Sequence, residues 1–240
     1  RATSGMASLG TKHHEKWSDY ADKAGIAFQE AGYYSEAGSL LKTALRLRRK
    51  HTPDSNLAIV SMGKLANLHR LRGAYDEALP LYKGIIDYKQ ANFGDNHITV
   101  ASSMNGLADI YRLSGAYEKA LPYYQKALSI SENSLGADHP DLATTLNNLA
   151  GLYEVIGDHE SALPLYQRAI DISEKALGKA HPDVGTMLNN LAGLYRAMGD
   201  LEAALAGVLN ATNFNARILG EFIGGDAGVL RRCAWPTSRY

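Results

Sequence analysis

Residues 136–177 read GADHPDLATTLNNLAGLYEVIGDHESALPLYQRAIDISEKAL, and moving along the chain by forty-two positions reproduces the pattern. Gly94, Gly136, Gly178 and Gly220 recur at that interval, and Leu107/Ala108/Tyr111, Leu149/Ala150/Tyr153 and Leu191/Ala192/Tyr195 keep the same phase within it. A unit repeated at a fixed period of this size cannot bury its apolar face alone, so neighbouring units stack and share one core. The expected fold is an all-α solenoid of about five helix-turn-helix repeats.

Within a repeat each residue class has a mechanical task. His139-Pro140-Asp141 and His181-Pro182-Asp183 open the first helix, with proline where its missing N–H is harmless and aspartate facing the positive end of the helix dipole. Gly73, Gly115, Gly157 and Gly199 end the first helix, and Asp158 and Asp200 stand where they can cap the second. Alanines at 66, 108, 150 and 192, and at 78, 120, 162 and 204, mark close helix–helix approach. Pro80, Pro122 and Pro164 fall inside the second helix, which predicts a bend repeated in three copies.

Outward from the reference stretch the copies lose definition. The expected repeats are 12–51, 54–92, 94–135, 136–177 and 178–219, flanked by a disordered segment 1–11 and by a capping segment with a flexible tail, 220–240. The second repeat carries a one-residue slip near Ser61–Lys64, and the fifth replaces ALPLYQRAIDI by ALAGVLNATNF. In the first, Trp17, Tyr20, Ala21, Ala24, Ala27 and Phe28 are expected on one buried face, with Ala37, Leu40, Leu41, Ala44, Leu45 and Leu47 on the next helix. Arg46, Arg48, Arg49 and Lys50 read as cations at a helix carboxyl end, or as an anion-binding patch.

Composition narrows the function. With 240 residues, 45% hydrophobic, and 25 basic against 25 acidic side chains, the chain has an ordinary core and no global field to draw it onto nucleic acid or an anionic membrane. No apolar run approaches the ~20 residues needed to cross a bilayer. The single cysteine, Cys233, excludes an internal disulfide framework, and the expected location is cytoplasmic. A chain starting at Arg1 rather than methionine reads as a processed product or a piece of a longer protein.

The set Leu149-Ala150, Tyr153, Gly157, Ala162, Tyr166 and Ala169 resembles the tetratricopeptide signature, and the period with its HPD and LNNLA elements is similar to the kinesin-light-chain type of that family. The resemblance covers residues 12–219 and is sharpest in the last three repeats. It implies a right-handed superhelix whose first helices line a concave groove that holds a protein or peptide segment. Carried over by position, the groove residues are Asn67 and Arg70; Ser102, Asn105, Asp109 and Arg112; Thr144, Asn147, Gly151 and Glu154; and Thr186, Asn189, Gly193 and Arg196. The asparagines would pair with ligand backbone, the charged residues would read charge, and the glycines would leave room. The alternative is that the asparagines are solvated residues on a helix face.

Catalysis is not expected. His97, His139 and His181 come one per repeat, too far apart to converge on a metal ion. His13-His14-Glu15 lacks metalloprotease spacing, and no phosphate loop or nucleophile elbow is present. No cofactor is implied. The leading function is therefore a non-catalytic interaction scaffold. Two alternatives stand beside it. One, implied by the resemblance to bacterial arrays that precede CHAT peptidase domains, is the sensor or regulatory arm of a larger CHAT-type peptidase or signalling protein, although Cys233 lacks the Gln-Ala-Cys context of such a nucleophile. The other is a module that self-associates through its terminal repeats.

Overall fold

The computed structural model describes residues 2–52, 56–204 and 206–207. Among them are nine α-helices and no strand: α1 (Ala2–Glu30), α2 (Tyr34–His51), α3 (Asn56–Leu71), α4 (Tyr75–Phe93), α5 (Ile98–Leu113), α6 (Tyr117–Leu135), α7 (Leu142–Val155), α8 (His159–Leu177) and α9 (Pro182–Met198). A further helical stretch starts at Leu201. The fold is all-α, a solenoid of consecutive helix-turn-helix pairs. The chain forms two compact units that meet in sequence between Ser134 and Leu135. In the first, α1 packs on α2, α2 on α3, α3 on α4 and α4 on α5; in the second, α7 packs on α8 and α8 on α9.

The helix ends follow from the residues placed there. Gly73, Gly115, Gly157 and Gly199 have φ between +69° and +82°, a left-handed conformation that glycine adopts without a Cβ penalty. Nδ1 of His97, His139 and His181 accepts a hydrogen bond from the backbone N–H two residues on, at 3.2–3.3 Å, which makes His97 and His181 the N-caps of α5 and α9 and lets His139 close the turn before α7. Asp158 and Asp200 cap the second helices by accepting from Ser161 and Ala203 at 3.1 and 3.0 Å. Pro182 is in the first turn of α9, whereas α7 begins only after Pro140. Helices α4, α6 and α8 continue through Pro80, Pro122 and Pro164. Each ring is exposed, and the carbonyl it leaves without a partner belongs to exposed Asp76, Glu118 or Glu160, where water reaches it.

The core lies where the helices approach most closely. Ala66, Ala108, Ala150, Ala78, Ala120 and Ala162 are fully buried. In the second unit Ala150, Ala162, Tyr166 and Leu194 form one cluster. In the first, Ala37, Leu41, Leu45, Met62, Leu65 and Leu68 form another.

Three expectations for the first repeat are corrected. Helix α1 begins at Ala2, well before Lys12, where apolar periodicity begins; Ala2, Met6, Ala7 and Leu9 are helix formers without a regular stripe. Of the face expected to be buried on α1, Trp17 and Tyr20 are 62% and 65% exposed and Ala27 and Phe28 are exposed as well, since among the described residues no helix packs over that side. Arg48 is neither a solvated dipole charge nor part of an open anion patch. It is buried and bonded to Asp22, Asp19 and Ser61. The second helix of the fifth repeat is described only at 201–204 and 206–207, and the segment 220–240 with Cys233 lies outside the described residues.

Candidate functional site

The inward positions inferred from the sequence fall on the first helix of each pair, and each compact unit can be taken separately. In the first unit, Asn56, Val60, Gly63, Asn67 and Arg70 occupy one face of α3 at three- and four-residue steps, and Ser102, Gly106, Asp109 and Arg112 occupy the corresponding face of α5. Toward the carboxyl ends of these helices the face is charged and internally bonded. Arg70 donates through Nε and Nη2 to Asn67 Oδ1 at 3.2 and 3.0 Å. Its Nη1 lies 3.9 Å from Asp109 Oδ2, while Arg112 Nη2 donates to Asp109 Oδ1 at 2.7 Å. From beneath, the hydroxyl of fully buried Tyr124 reaches the same oxygen at 3.5 Å.

Asp109 is thus the hub of this cluster, and the ionisation of its neighbours reflects that. Burial opposes the Arg112 charge, but the hydrogen bond and attraction of Asp109 outweigh it and raise its pKa. Burial, then the Asp109 charge, push the Tyr124 phenol far above its ordinary range, so it remains a donor. Asn105 keeps its Oδ1 buried with no hydrogen-bond partner.

Toward the amino ends the same face is apolar and open. A cavity of about 460 Å³ is lined by Ile59, Val60, Gly63, Tyr82, Phe93 and Ser102, among others. Val60 and Phe93 are 43% and 49% exposed. Apart from Ser102, none of these residues was anticipated. The available signal was a glycine inside each of two helices, Gly63 and Gly106, which stand at adjacent rather than equivalent places in the forty-two-residue repeat. Gly106 has a packing reason, since a Cβ there would meet the Tyr82 ring at 2.5 Å. Burial raises the Tyr82 pKa, with Arg70 acting in the opposite sense.

In the second unit the equivalent positions carry less charge. Thr144, Thr186, Asn189 and Arg196 are exposed, and Asn147, Gly151, Glu154 and Gly193 are half-buried. Asn147 is not free to offer both ends of its amide, because its Oδ1 accepts from Asn190 Nδ2 at 3.0 Å across to the next repeat. Glu154 Oε2 accepts from the Tyr166 hydroxyl at 2.8 Å. A Cβ added at Gly151 would come within 3.2 Å of that hydroxyl, and one at Gly193 within 3.5 Å of Glu154 Oε1, so the two glycines border the carboxylate. The asparagines expected to form one ladder therefore differ in state: Asn105 is half-buried, Asn147 is bonded to the neighbouring repeat, and Asn189 is solvated.

The tetratricopeptide repeat family model matches residues 57–133, 99–175 and 141–206. The chain belongs to the tetratricopeptide repeat family. Among solved structures, this tetratricopeptide repeat chain is similar to BtubC (BKLC) from P. vanneervenii, with a TM-score of 0.73 at 25% identity over 90% of this chain and 91% of that one. It is also similar to a putative kinesin light chain from Podosopora anserina with nearly identical TPR-like repeats, with a TM-score of 0.68 at 21% identity over 83% and 95% of the two chains. A third, aspartyl phosphate phosphatase F from Bacillus subtilis, has a TM-score of 0.60 at 12% identity over 84% and 60%, a likeness of fold alone. Comparison of the sequence with those of curated proteins returns no match.

Proposed function

We propose that the chain is a non-catalytic interaction scaffold that holds a protein or peptide segment against its first helices. The observation that carries this reading is the face shared by α3 and α5, where an open apolar cavity of about 460 Å³ adjoins the Asn67, Arg70, Asp109 and Arg112 network. An apolar side chain of the ligand enters between Val60 and Phe93, while its backbone meets Ser102 and Asn67. In the second unit Thr144, Asn147, Gly151, Glu154, Thr186, Asn189, Gly193 and Arg196 supply the corresponding surface. His97 and His181 cap helices and His139 holds the turn before α7, which accounts for the three histidines without a metal.

Peptides selected from a random display library against the chain test the proposal. Binding should weaken at least tenfold, about 1.4 kcal/mol, when Val60→Asp or the pair Asp109→Ala and Arg112→Ala is introduced. It should survive Gln167→Ala, an exposed change on a second helix. Selected peptides that are indifferent to both first-helix variants would overturn the proposal.

A further inference from the structure

The exposed side of α2 carries a charge pattern that the repeat itself does not require. Lys42, Arg46 and Arg49, all exposed, fall at four- and three-residue steps along one side of that helix. At the equivalent places α4 has Lys83 with Asp87, α6 has only the acid Glu132, and α8 has the acids Asp171 and Glu174. The helix dipole does not explain the three cations. Lys42 and Arg46 precede the last turn, and α6 and α8 carry a glutamate where α2 has Arg49. Internal pairing does not explain them either, because among the described residues no ion pair engages any of the three.

The stripe borders a valley between α2 and α4 that is floored by α3. Arg49 Nη2 lies 3.3 Å from Met62 Sδ, and from the other side a Cβ added at Gly84 would come within 2.9 Å of Met62 Cε, so this one side chain of α3 meets both walls. Lys42 and Glu77 both act on His69 of α3 and so mark the other end of the valley. Beyond Glu77 the α4 wall is uncharged, with Pro80 exposed and Leu81, Gly84 and Tyr88 half-buried. The remaining acids of these helices are turned elsewhere. Glu36 stands about 120° round α2 from Lys42. Asp87 lines a cavity with Pro122 and Tyr123 of α6, and Asp76 shares its face of α4. Glu15, Asp19 and Glu30 belong to α1, which packs against Ala37, Leu40 and Leu47 across α2 from the stripe, and Asp19 is held by Arg48.

From the unpaired stripe and the uncharged wall that faces it, we infer that the α2/α4 valley docks an acidic amphipathic helix of a partner protein. Carboxylates at four- and three-residue steps on such a helix meet Lys42, Arg46 and Arg49, which rise about 6 Å and then about 4.5 Å along α2. Its apolar side rests on Pro80 and Leu81. A phosphate backbone or a lipid surface would find the cations but make no use of that apolar wall. The valley lies on second helices and is distinct from the first-helix face of the proposed scaffold function.

Fluorescence anisotropy on the full chain tests this with a labelled peptide of about 18 residues, glutamate at four- and three-residue steps along one face and leucine along the next. The peptide should bind, lose affinity with added salt, and bind at least tenfold more weakly when its glutamates are replaced by glutamine. Lys42→Gln, Arg46→Asp and Arg49→Glu together should also weaken it at least tenfold. They install the residues of α8, so the variant keeps its helical circular dichroism. Pro80→Glu, which charges the facing wall, should weaken binding too, whereas Val60→Asp on the first-helix face should not. Absence of binding, binding indifferent to the triple substitution, or binding lost with Val60→Asp overturns the inference. So does capture of duplex DNA or phosphatidylserine vesicles, in place of the peptide, that the triple substitution abolishes, since the stripe then serves a nucleic acid or a lipid surface.

Discussion

The joint between the first and second repeats and the joint between the fourth and fifth use equivalent positions for opposite chemistry. At the first, buried Asp22 accepts from Lys64 Nζ at 2.9 Å and from Arg48, and Arg48 also donates to Ser61 at 2.5 Å. At the other, the same places hold Asn147 and Asn190, joined at 3.0 Å, and Ser173, whose hydroxyl lies 3.3 Å from the Met187 sulfur. An ionic cluster and a pair of neutral contacts thus occupy one geometry. The intermediate joint of the first unit is between them in character: Lys89, its pKa lowered by burial, donates to Ser103 Oγ at 2.8 Å and to the Thr99 carbonyl at 3.1 Å. The stack is set by the small and apolar residues, and the polar positions at each joint vary in charge while a side-chain hydrogen bond still crosses it.

The largest effect should come from breaking the ionic joint. Asp22 is 1% exposed and Arg48 4%, so Asp22→Ala leaves a buried guanidinium without its main partner. A loss of about 3–5 kcal/mol is expected in urea unfolding followed by circular dichroism. The comparison is sharpened by converting the joint outright. Asp22→Asn, Arg48→Ser, Lys64→Asn and Ser61→Met together install the residues of the later joint, and stability should return to within ~1 kcal/mol of wild type. If the converted joint is as unstable as Asp22→Ala, the two are not interchangeable.

Next in size is overpacking of the shared framework. Ala150 is fully buried beside Ala162 and Tyr166, and Ala150→Leu should cost about 1–3 kcal/mol in thermal or urea unfolding. An unchanged transition would mean the face is not closely packed. Smaller again is Asn147→Ala, which removes the neutral amide contact for about 0.5–1.5 kcal/mol. A cost equal to that of Asp22→Ala would contradict the division into strong and weak joints.

What could be read in the sequence tracks the same contrast. Phase, glycine turns, aspartate caps and the buried alanines were legible because each depends on local backbone geometry repeated at a fixed interval. The Asp22–Arg48–Lys64 cluster was not. Its members are far apart in sequence, and Arg48 sits among cations at a helix end, where a solvated charge is the simpler reading. Exposure of Trp17 and Tyr20 was equally hidden, since periodicity says which face is apolar and not whether anything covers it. On the candidate site, the inward positions could be counted from the repeat. Whether a side chain such as Asn147 is spent on the neighbouring repeat or left for a ligand depends on its partner's rotamer. The migration of the carboxylate that meets the buried tyrosine, Asp109 for Tyr124 and Glu154 for Tyr166, was likewise visible only in three dimensions.

The smallest effect expected concerns pH and separates the two units once more. Where later repeats carry Tyr111, Tyr153 and Tyr195, the second repeat has His69, only 6% exposed and with its Nδ1 buried and unpartnered. Burial, with the charges of Lys42 and Arg72 against the opposing Glu77, lowers its pKa from 6.5. The folded first unit therefore favours the neutral ring, and the unfolded chain binds the proton first. Stability should fall as pH drops through the unfolded value of 6.5 and stop falling below the lower folded value. The other histidines titrate as well, so the measurement is the difference between wild type and His69→Tyr, which restores the residue of the later repeats. Between about pH 8 and about pH 5 the wild type should lose more of its urea midpoint than the variant does. Parallel losses would show that His69 is not held neutral, and that the first unit tolerates charge at this position as readily as it does at Asp22 and Arg48.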